Sequence, residues 1–366
     1  MSARRTSRKS GVFRGILSGP NRFRQVQRSL RRESRMRFPL HFYGRSDILT
    51  KEQWKRVIER YNPADLMESL NKVDIKEILA AAGISIPDTY MILETEDDLE
   101  GFRTWLDSFS DGFVIKPASG HGGAGIMVID RRVVGRFITI SGRGIGPDQL
   151  IAHVRRIIKG AYTRSVPDRA IVERRLVLSG SLRELRTPGL LDIRVVVLKG
   201  FPLMAMTRIP TRRSRGRANI HQGAIGAGIS ISEGRITSAT LMRRNVSRHP
   251  QTGRYLIGFR FNMWEDILES ASLAADASGL GFVGVDLTVD RDLGVTVIEV
   301  NKRPGLEIQN ANRSGLRRRI RFLEGQIRKS KGNGNITDLG PGIKVELTRK
   351  WDTLMWRKMP EKVSEE

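Results

Sequence analysis

Two runs decide the fold, 281–289 (GFVGVDLTV) and 295–305 (VTVIEVNKRPG). Each holds a β-branched apolar run of strand length, and 290–294 between them (DRDLG) has the Asp and Gly of a turn. They read as an antiparallel hairpin, Phe282–Val289 with Val295–Val300. Strand side chains alternate, so Glu299 and Asn301 share a face, and pairing brings Asp286 beside them. Unpaired carboxylates in such strands cost several kcal/mol each to bury, on the order of a lost ion pair. A hard cation such as Mg²⁺ removes that cost, because it takes oxygen ligands and shares them with phosphates. Pairing with arginine, or an end in water, removes it as well, and both readings stay open.

Working outward, 113–130 (FVIKPASGHGGAGIMVID) is a second hairpin. Gly112–Pro117 carries Lys116 at its end, Ser119–Gly125 is a glycine-rich loop, and Ile126–Ile129 returns. Glycines such as Gly122 and Gly123 let backbone N–H groups approach phosphate oxygens, and a lysine adds a point charge. The run lacks GK[ST], which excludes a Walker A loop, and a strand follows it where a dinucleotide fingerprint needs a helix.

Thr50 caps a predicted helix through Tyr61. Ile75, Ile78, Leu79 and Ala82 place a helix from Lys72, stopped by Gly83. Ile84–Leu93 reads as turn and strand; Pro147 opens a helix with Leu150, Ile151, Val154, Ile157 and Ile158 inward. Ala170–Glu173 and Asp192–Leu198 are strands, Arg212–Arg217 a basic loop, Trp264–Ser278 an amphipathic helix, and 313–329 a last helix before a loosely ordered tail. Hairpins mixed with helices give an α+β class with mainly antiparallel sheets. The expected organisation is a basic arm over 1–48, a main domain over 49–312 with a lid-like part about 112–175, and a C-terminal helix and tail over 313–366.

The chain has 366 residues and carries 64 Lys+Arg against 39 Asp+Glu, net +25, which favours phosphate-bearing or other anionic partners. Residues 1–37 alone hold twelve bases and the single acid Glu33. Three readings of that arm stand: a solvated segment, an anchor on a polyanion (nucleic acid or acidic lipid), or an Arg- and Ser-rich transit peptide. With no Cys, disulfides and thiolate metal sites are excluded, which suits a reducing, cytoplasmic setting. Its five His show no i,i+3 or i,i+4 pair, against a His-based zinc site. No apolar run approaches about 18 residues, so no transmembrane segment is expected.

The ordered set Asn71-Lys72, Lys116 with its Gly loop, Glu173, Asp192-Ile193-Arg194, Arg217-Ala218-Asn219, Asp286 and Glu299-Val300-Asn301 with Pro304-Gly305 resembles the ATP-grasp superfamily. More narrowly it resembles the RimK-type α-L-glutamate ligase relatives, including the sugar-transfer-associated ATP-grasp group, over roughly 70–310. The resemblance implies two α+β subdomains clamping ATP between mainly antiparallel sheets. It implies that Lys72, Lys116, Gly122 and Gly123 meet the phosphates, Glu173 and Arg174 form the strand beside adenine, and Asp192 lies near the ribose. It further implies that Arg217 and Asn219 reach phosphate or metal-bound groups, Arg208 acts on the transferring phosphoryl, and Asp286, Glu299 and Asn301 hold Mg²⁺ or Mn²⁺. The implied reaction joins a small-molecule or peptide carboxylate to an amine through an acyl phosphate, as in glutamate ligases. The alternatives are a kinase acting on a hydroxyl, or a polyanion-binding protein with a relic ATP site. Arg174 departs from the pattern, which usually has an apolar or aromatic residue there.

Overall fold

The computed structural model describes residues 47–120, 122–185, 189–330 and 334–356. Nearly all of the expected basic arm, and the end of the tail, lie outside the described residues.

Both sheets are wholly antiparallel. The six-stranded sheet contains β1 (Thr89–Leu93), β2 (Phe113–Pro117), β3 (Met127–Val133), β4 (Arg136–Thr139), β5 (Gly144–Ile145) and β6 (Ala170–Arg174), in the order β1-β6-β2-β3-β4-β5. The seven-stranded sheet contains β7 (Asp192–Leu198), β8 (Phe201–Ile209), β9 (Ile225–Ile229), β10 (Ile236–Leu241), β11 (Arg244–Asn245), β12 (Phe282–Asp290) and β13 (Gly294–Asn301), in the order β11-β10-β9-β8-β7-β12-β13. The helices are α1 (Lys51–Tyr61), α2 (Ala64–Ser69), α3 (Lys72–Ala81), α4 (Asp98–Ser108), α5 (Pro147–Ile158), α6 (Gly180–Arg183), α7 (Trp264–Ala277), α8 (Glu307–Asn312), α9 (Leu316–Ser330) and α10 (Pro341–Trp351). The expected α+β class and antiparallel pairing hold.

The smaller sheet forms its own core with α4 and α5. Leu150, Val154 and Ile157 of α5, the face its periodicity marks, meet Phe102, Leu106, Phe113 and Phe137, all fully buried. Trp105 stacks on Phe109 at 4.2 Å and meets Phe113 edge-on at 5.1 Å. Each such side chain contributes about 1.5–3 kcal/mol by leaving water.

The larger sheet is covered on both faces, so its strands sort residues by parity. In β7, Ile193, Val195 and Val197 join α3 and α7 in one core, while Val196 and Leu198 join α1, α8 and α9 in another. Val283, Val285 and Leu287 of β12 follow the first set, which turns Gly284 and Asp286 to the second face. On β9, a Cβ at Gly228 would lie 2.6 Å from the Asn312 Cα, so glycine is what lets α8 lie directly on the strand.

Two stretches differ from expectation. The helix expected over 313–329 starts three residues later, as α9 at Leu316, because the chain turns at Arg313 in the left-handed region (φ 48) after a short helix, α8, that the sequence reading did not expect. A Cβ at Gly315 would meet the Asp47 carbonyl oxygen at 2.0 Å, so only glycine lets the chain near residue 47 lie against the start of α9. The tail is also more ordered than expected. α10 packs into the second core through Leu347 and Trp351, and Lys344 pairs with Asp276 of α7 at 2.7 Å.

Candidate active site

Parity and register assemble the polar face of the larger sheet. Asp286 is paired with Arg194 across β12 and β7, and with Glu299 across β12 and β13. Asp192 is paired with Arg208 across β7 and β8. Cross-strand partners stand about 5 Å apart at Cβ, so opposite charges there meet. Arg194 grips Asp286 with both ends of its fork, Nε to Oδ1 at 2.6 Å and Nη2 to Oδ2 at 2.7 Å. Arg208 grips Asp192 in the same way, at 2.6 and 2.5 Å, and its Nη2 also reaches Asp286 Oδ2 at 2.8 Å. Asn301 Nδ2 donates to that same oxygen at 2.9 Å.

Burial alone would raise both carboxyls, but the balance differs. Two guanidiniums outweigh burial at Asp286 and hold it below the usual carboxylate range. Asp192 has one guanidinium bound and a negative neighbour in Asp286, so burial pushes it up to about 6. Burial would lower Arg208, but its two carboxylate partners raise it.

A second cluster lies across the cleft. Asn71 caps α3 in a capping box with Asp74, placing Lys72 at the first position of the helix. Lys76 follows one turn later on the same face. Glu173 of β6 holds Lys76 Nζ at 2.7 Å and Lys116 Nζ at 2.6 Å, all three nearly buried. The two ammoniums overcome burial and lower Glu173, whereas burial, reinforced by Lys116, lowers Lys76 despite Glu173. Lys72 bridges the two clusters. Its Nζ donates to the Gly120 carbonyl at 2.9 Å and lies 3.5 Å from Glu299 Oε1.

The glycine loop is pinned at several points. Asp168 accepts the Ser119 N–H at 3.0 Å, Asn219 Nδ2 donates to the Gly122 carbonyl at 2.9 Å, and His153 bonds the Gly125 carbonyl at 2.9 Å. Gly122, Gly123 and Gly125 all have positive φ, which glycine adopts without strain. The Arg217 stem lies 3.9 Å from where a Gly123 Cβ would stand, and its head reaches Gln222 at 3.3 Å.

Thus Lys116 and Glu173 form one ion cluster and Asp192, Arg208, Asp286 and Asn301 another; Lys72 joins the glycine loop to Glu299, the register partner of Asp286, and Asn219 holds Gly122, with Arg217 beside Gly123. Arg174 is not among them. It alternates with Glu173 on β6, and its guanidinium goes to Asp292 at 2.8 Å and Asp88 at 3.6 Å. Sequence reading missed Lys76, whose signal was a second lysine at i+4 on an otherwise apolar helix. It also missed the partnership of Arg194 with Asp286, and the anchoring roles of Asp168 and His153.

Would the donors fit a hard cation? Glu299 is about one-third exposed, and its ion-pair partner among the described residues is Lys72, at 3.5 Å. The Asn301 amide nitrogen faces Asp286, which turns its oxygen away from that carboxylate. Those two fit. Asp286 does not offer a free pair of oxygens, because Oδ2 already accepts three N–H donors. Among the described residues no group of three or more His, Cys, Asp and Glu could hold a metal ion. No described helix is long and apolar enough to cross a membrane.

Known proteins give the following likenesses. The profile of the family described as sugar-transfer associated ATP-grasp matches residues 52–325. Among solved structures, the ATP-grasp ligase PsnB complexed with minimal precursor is similar at 14% identity and a TM-score of 0.40, over 73% of this chain and 64% of that one. The D-cycloserine synthetase DcsG is similar at 15% identity and 0.41, over 75% and 80%. The D-alanine–D-alanine ligase from Bacillus anthracis complexed with ATP is similar at 16% and 0.39, over 72% and 68%. The chain thus spans just under two thirds of the PsnB length, and at these scores the structural likenesses add nothing to the family match. No curated protein matches the chain.

Proposed function

The chain belongs to the sugar-transfer-associated ATP-grasp family, and from this we propose that it is an ATP-dependent ligase joining a carboxylate to an amine. The observation that carries the reading is the position of Lys72, between the glycine-loop carbonyl of Gly120 and the Glu299 carboxylate. It marks a cleft with cations on one wall and oxygen donors on the other, which is what a triphosphate with its counter-ions requires.

In this reading the smaller sheet acts as the lid. Lys72 and Lys116 take the phosphate oxygens, while Gly122 and Gly123 close over them and exclude water. The β6 backbone at Glu173 and Arg174 lies beside adenine. Glu299 and Asn301 are the donors assigned to Mg²⁺, which when bound neutralises phosphate charge; Asp286 joins them only by giving up N–H bonds from Arg194 or Arg208. Asp192 is assigned to orienting Arg208 instead of meeting the ribose, because both of its oxygens are occupied by that guanidinium.

The reaction needs no protein nucleophile. A carboxylate oxygen of the substrate attacks the γ-phosphorus and ADP leaves, with Arg208 facing the charge that develops on the transferring group. The amine nitrogen then attacks the acyl carbon, loses a proton, and phosphate departs with the electron pair. Incubation with ATP, Mg²⁺ and candidate acids in the presence of hydroxylamine tests this directly. A hydroxamate forming with ADP release is expected; ATP consumed with a phosphorylated hydroxyl as product, and no hydroxamate with any acid, would overturn it in favour of a kinase.

A further inference from the structure

Apart from the site above, the segment after β11 forms a hollow of about 560 Å³, lined by Arg248, Thr252, Gly253, Arg254, Tyr255 and Phe259. This lies in the range of small-molecule sites. Its position is fixed by the chain. Arg208 ends the polar face; two strand residues later, about 7 Å on at strand rise, Pro210 accepts a hydrogen bond from the His249 ring at 3.0 Å. His249 is fully buried and organises the turn, its Nδ1 accepting the N–H groups of Gln251 and Thr252 at 3.3 Å each. Gln251 reaches back to the Arg212 N–H at 3.3 Å. The turn that carries the hollow is thus tied to Pro210 and Arg212, at the start of the loop whose Arg217 and Asn219 approach the glycine loop.

The lining has a definite chemistry. Arg248 lies over the Tyr255 ring at 5.1 Å and its Nη1 donates to the Gly253 carbonyl at 3.2 Å, so its fork is held in place. Yet it makes no ion pair with a described carboxylate, and neither do Arg212, Arg213 and Arg215 on the adjoining loop. Arg254 has one weak, half-exposed partner, Glu184, at 3.3 Å. A guanidinium held in place without a counter-ion, beside an exposed aromatic ring, suits an anion attached to a ring.

We infer that this hollow is the subsite for one of the two joined substrates, and that it binds a non-reacting phosphate or carboxylate carried on a ring. The inference rests on the ligase reading, since that reading gives the neighbouring cleft its nucleotide. Arg248 takes the anion edge-on and Tyr255 packs beside the ring, leaving the reacting end of the molecule to pass the 211–217 loop toward Arg208.

Calorimetric titration of the full chain with phenyl phosphate, and separately with phenylacetate, reads the site and distinguishes the two anions. ATP is titrated in parallel. At least one of the two aryl anions should bind both in the absence and in the presence of saturating ATP. Arg248→Ala should weaken it roughly tenfold, as loss of a charge-assisted bidentate contact does, while ATP affinity stays unchanged. Arg248 is exposed, so the variant keeps its fold, and equal melting temperatures check that. Binding of neither anion, equal binding by R248A, or displacement by ATP would overturn the inference. Failure of ATP itself to bind would instead strike the ligase reading and leave the anion titration readable.

Discussion

Glu173→Gln probes the buried ion cluster that joins α3 to the smaller sheet. The carboxylate is 6% exposed and is the counter-ion of both Lys76 and Lys116, at 2.7 and 2.6 Å. The amide keeps the volume but removes the charge, leaving two ammoniums, 11% and 10% exposed, facing each other across one side chain. Breaking a buried pair by removing one partner costs about 3–5 kcal/mol, because the other charge stays desolvated. At an unfolding entropy of about 2.1 cal/mol/K per residue, a 366-residue chain should lose roughly 4–7 °C of melting temperature. The nucleotide adds a second reading. If Lys116 is a phosphate ligand, a triphosphate replaces the missing carboxylate, so ATP should raise the melting temperature of E173Q by more than it raises that of the parent chain. Differential scanning fluorimetry with and without ATP measures both. A variant melting within about 1 °C of the parent refutes the buried triad, and an ATP shift no larger than the parent's refutes the phosphate role of Lys116.

Four further outcomes follow from the same geometry. Glu299→Ala, at a partly exposed carboxylate, should keep the fold and abolish Mg²⁺-dependent ATP turnover; turnover retained at any Mg²⁺ concentration removes the metal assignment. Mg²⁺ alone should leave the melting temperature unchanged, since Arg194 and Arg208 already neutralise Asp286, whereas Mg²⁺ with ATP should raise it; a rise with Mg²⁺ alone contradicts the clamp. Asn219→Ala removes the bond to the Gly122 carbonyl, worth about 1 kcal/mol, and should speed amide exchange at 122–125; unchanged exchange there would show the loop is held elsewhere. The folded chain keeps the Asp192 proton to about pH 6 while the unfolded chain releases it near 3.8, so this group's contribution is complete below the lower value and lost through the higher one. Urea denaturation should therefore show Asp192→Asn gaining on the parent between these values, by no more than about 3 kcal/mol, and a constant difference would refute the raised carboxyl.

The sequence revealed elements wherever one period dominates a segment. The helices α3, α5 and α7 each turn one face to a core, so the 3.6-residue repeat shows through, while β12 and β13 are recognised as β-branched runs of strand length around an Asp/Gly turn, β12 being buried on both faces. The segment from Phe201 to Leu241 gives no such signal. β8 is buried on both faces and reads as a continuous apolar run, while β9, Ile225–Ile229, contains two glycines that resemble a loop. Gly228 is dictated by α8, which is distant in sequence, and Gly226 by the Ile220 side chain folded back on the strand, so no strand pattern reports either. α10 escaped for a related reason: its inward positions include Lys344 and Thr348, whose polar ends are satisfied by Asp276 and by the helix itself.

Asp286 shows the same limit at the level of chemistry. Its place in an apolar strand announces that something must neutralise it, and the hairpin correctly predicts Asn301 as a neighbour. Whether the neutralising group is a cation from solution or a guanidinium from the chain depends on strand register between segments 92 residues apart, because Arg194 faces Asp286 only when β7 lies beside β12. With that register the charge is already met, and Arg208 connects the same carboxylate to Asp192. The pair of arginines and the pair of aspartates balance, and the neighbouring Glu299 lies 3.5 Å from Lys72, so this face offers little net negative charge to draw in a divalent ion by itself. In the proposed ligase reading a cation reaching Glu299 and Asn301 is drawn by the phosphates it accompanies, and the four-membered ion cluster is the floor that keeps Arg208 oriented while the triphosphate and its counter-ion enter together.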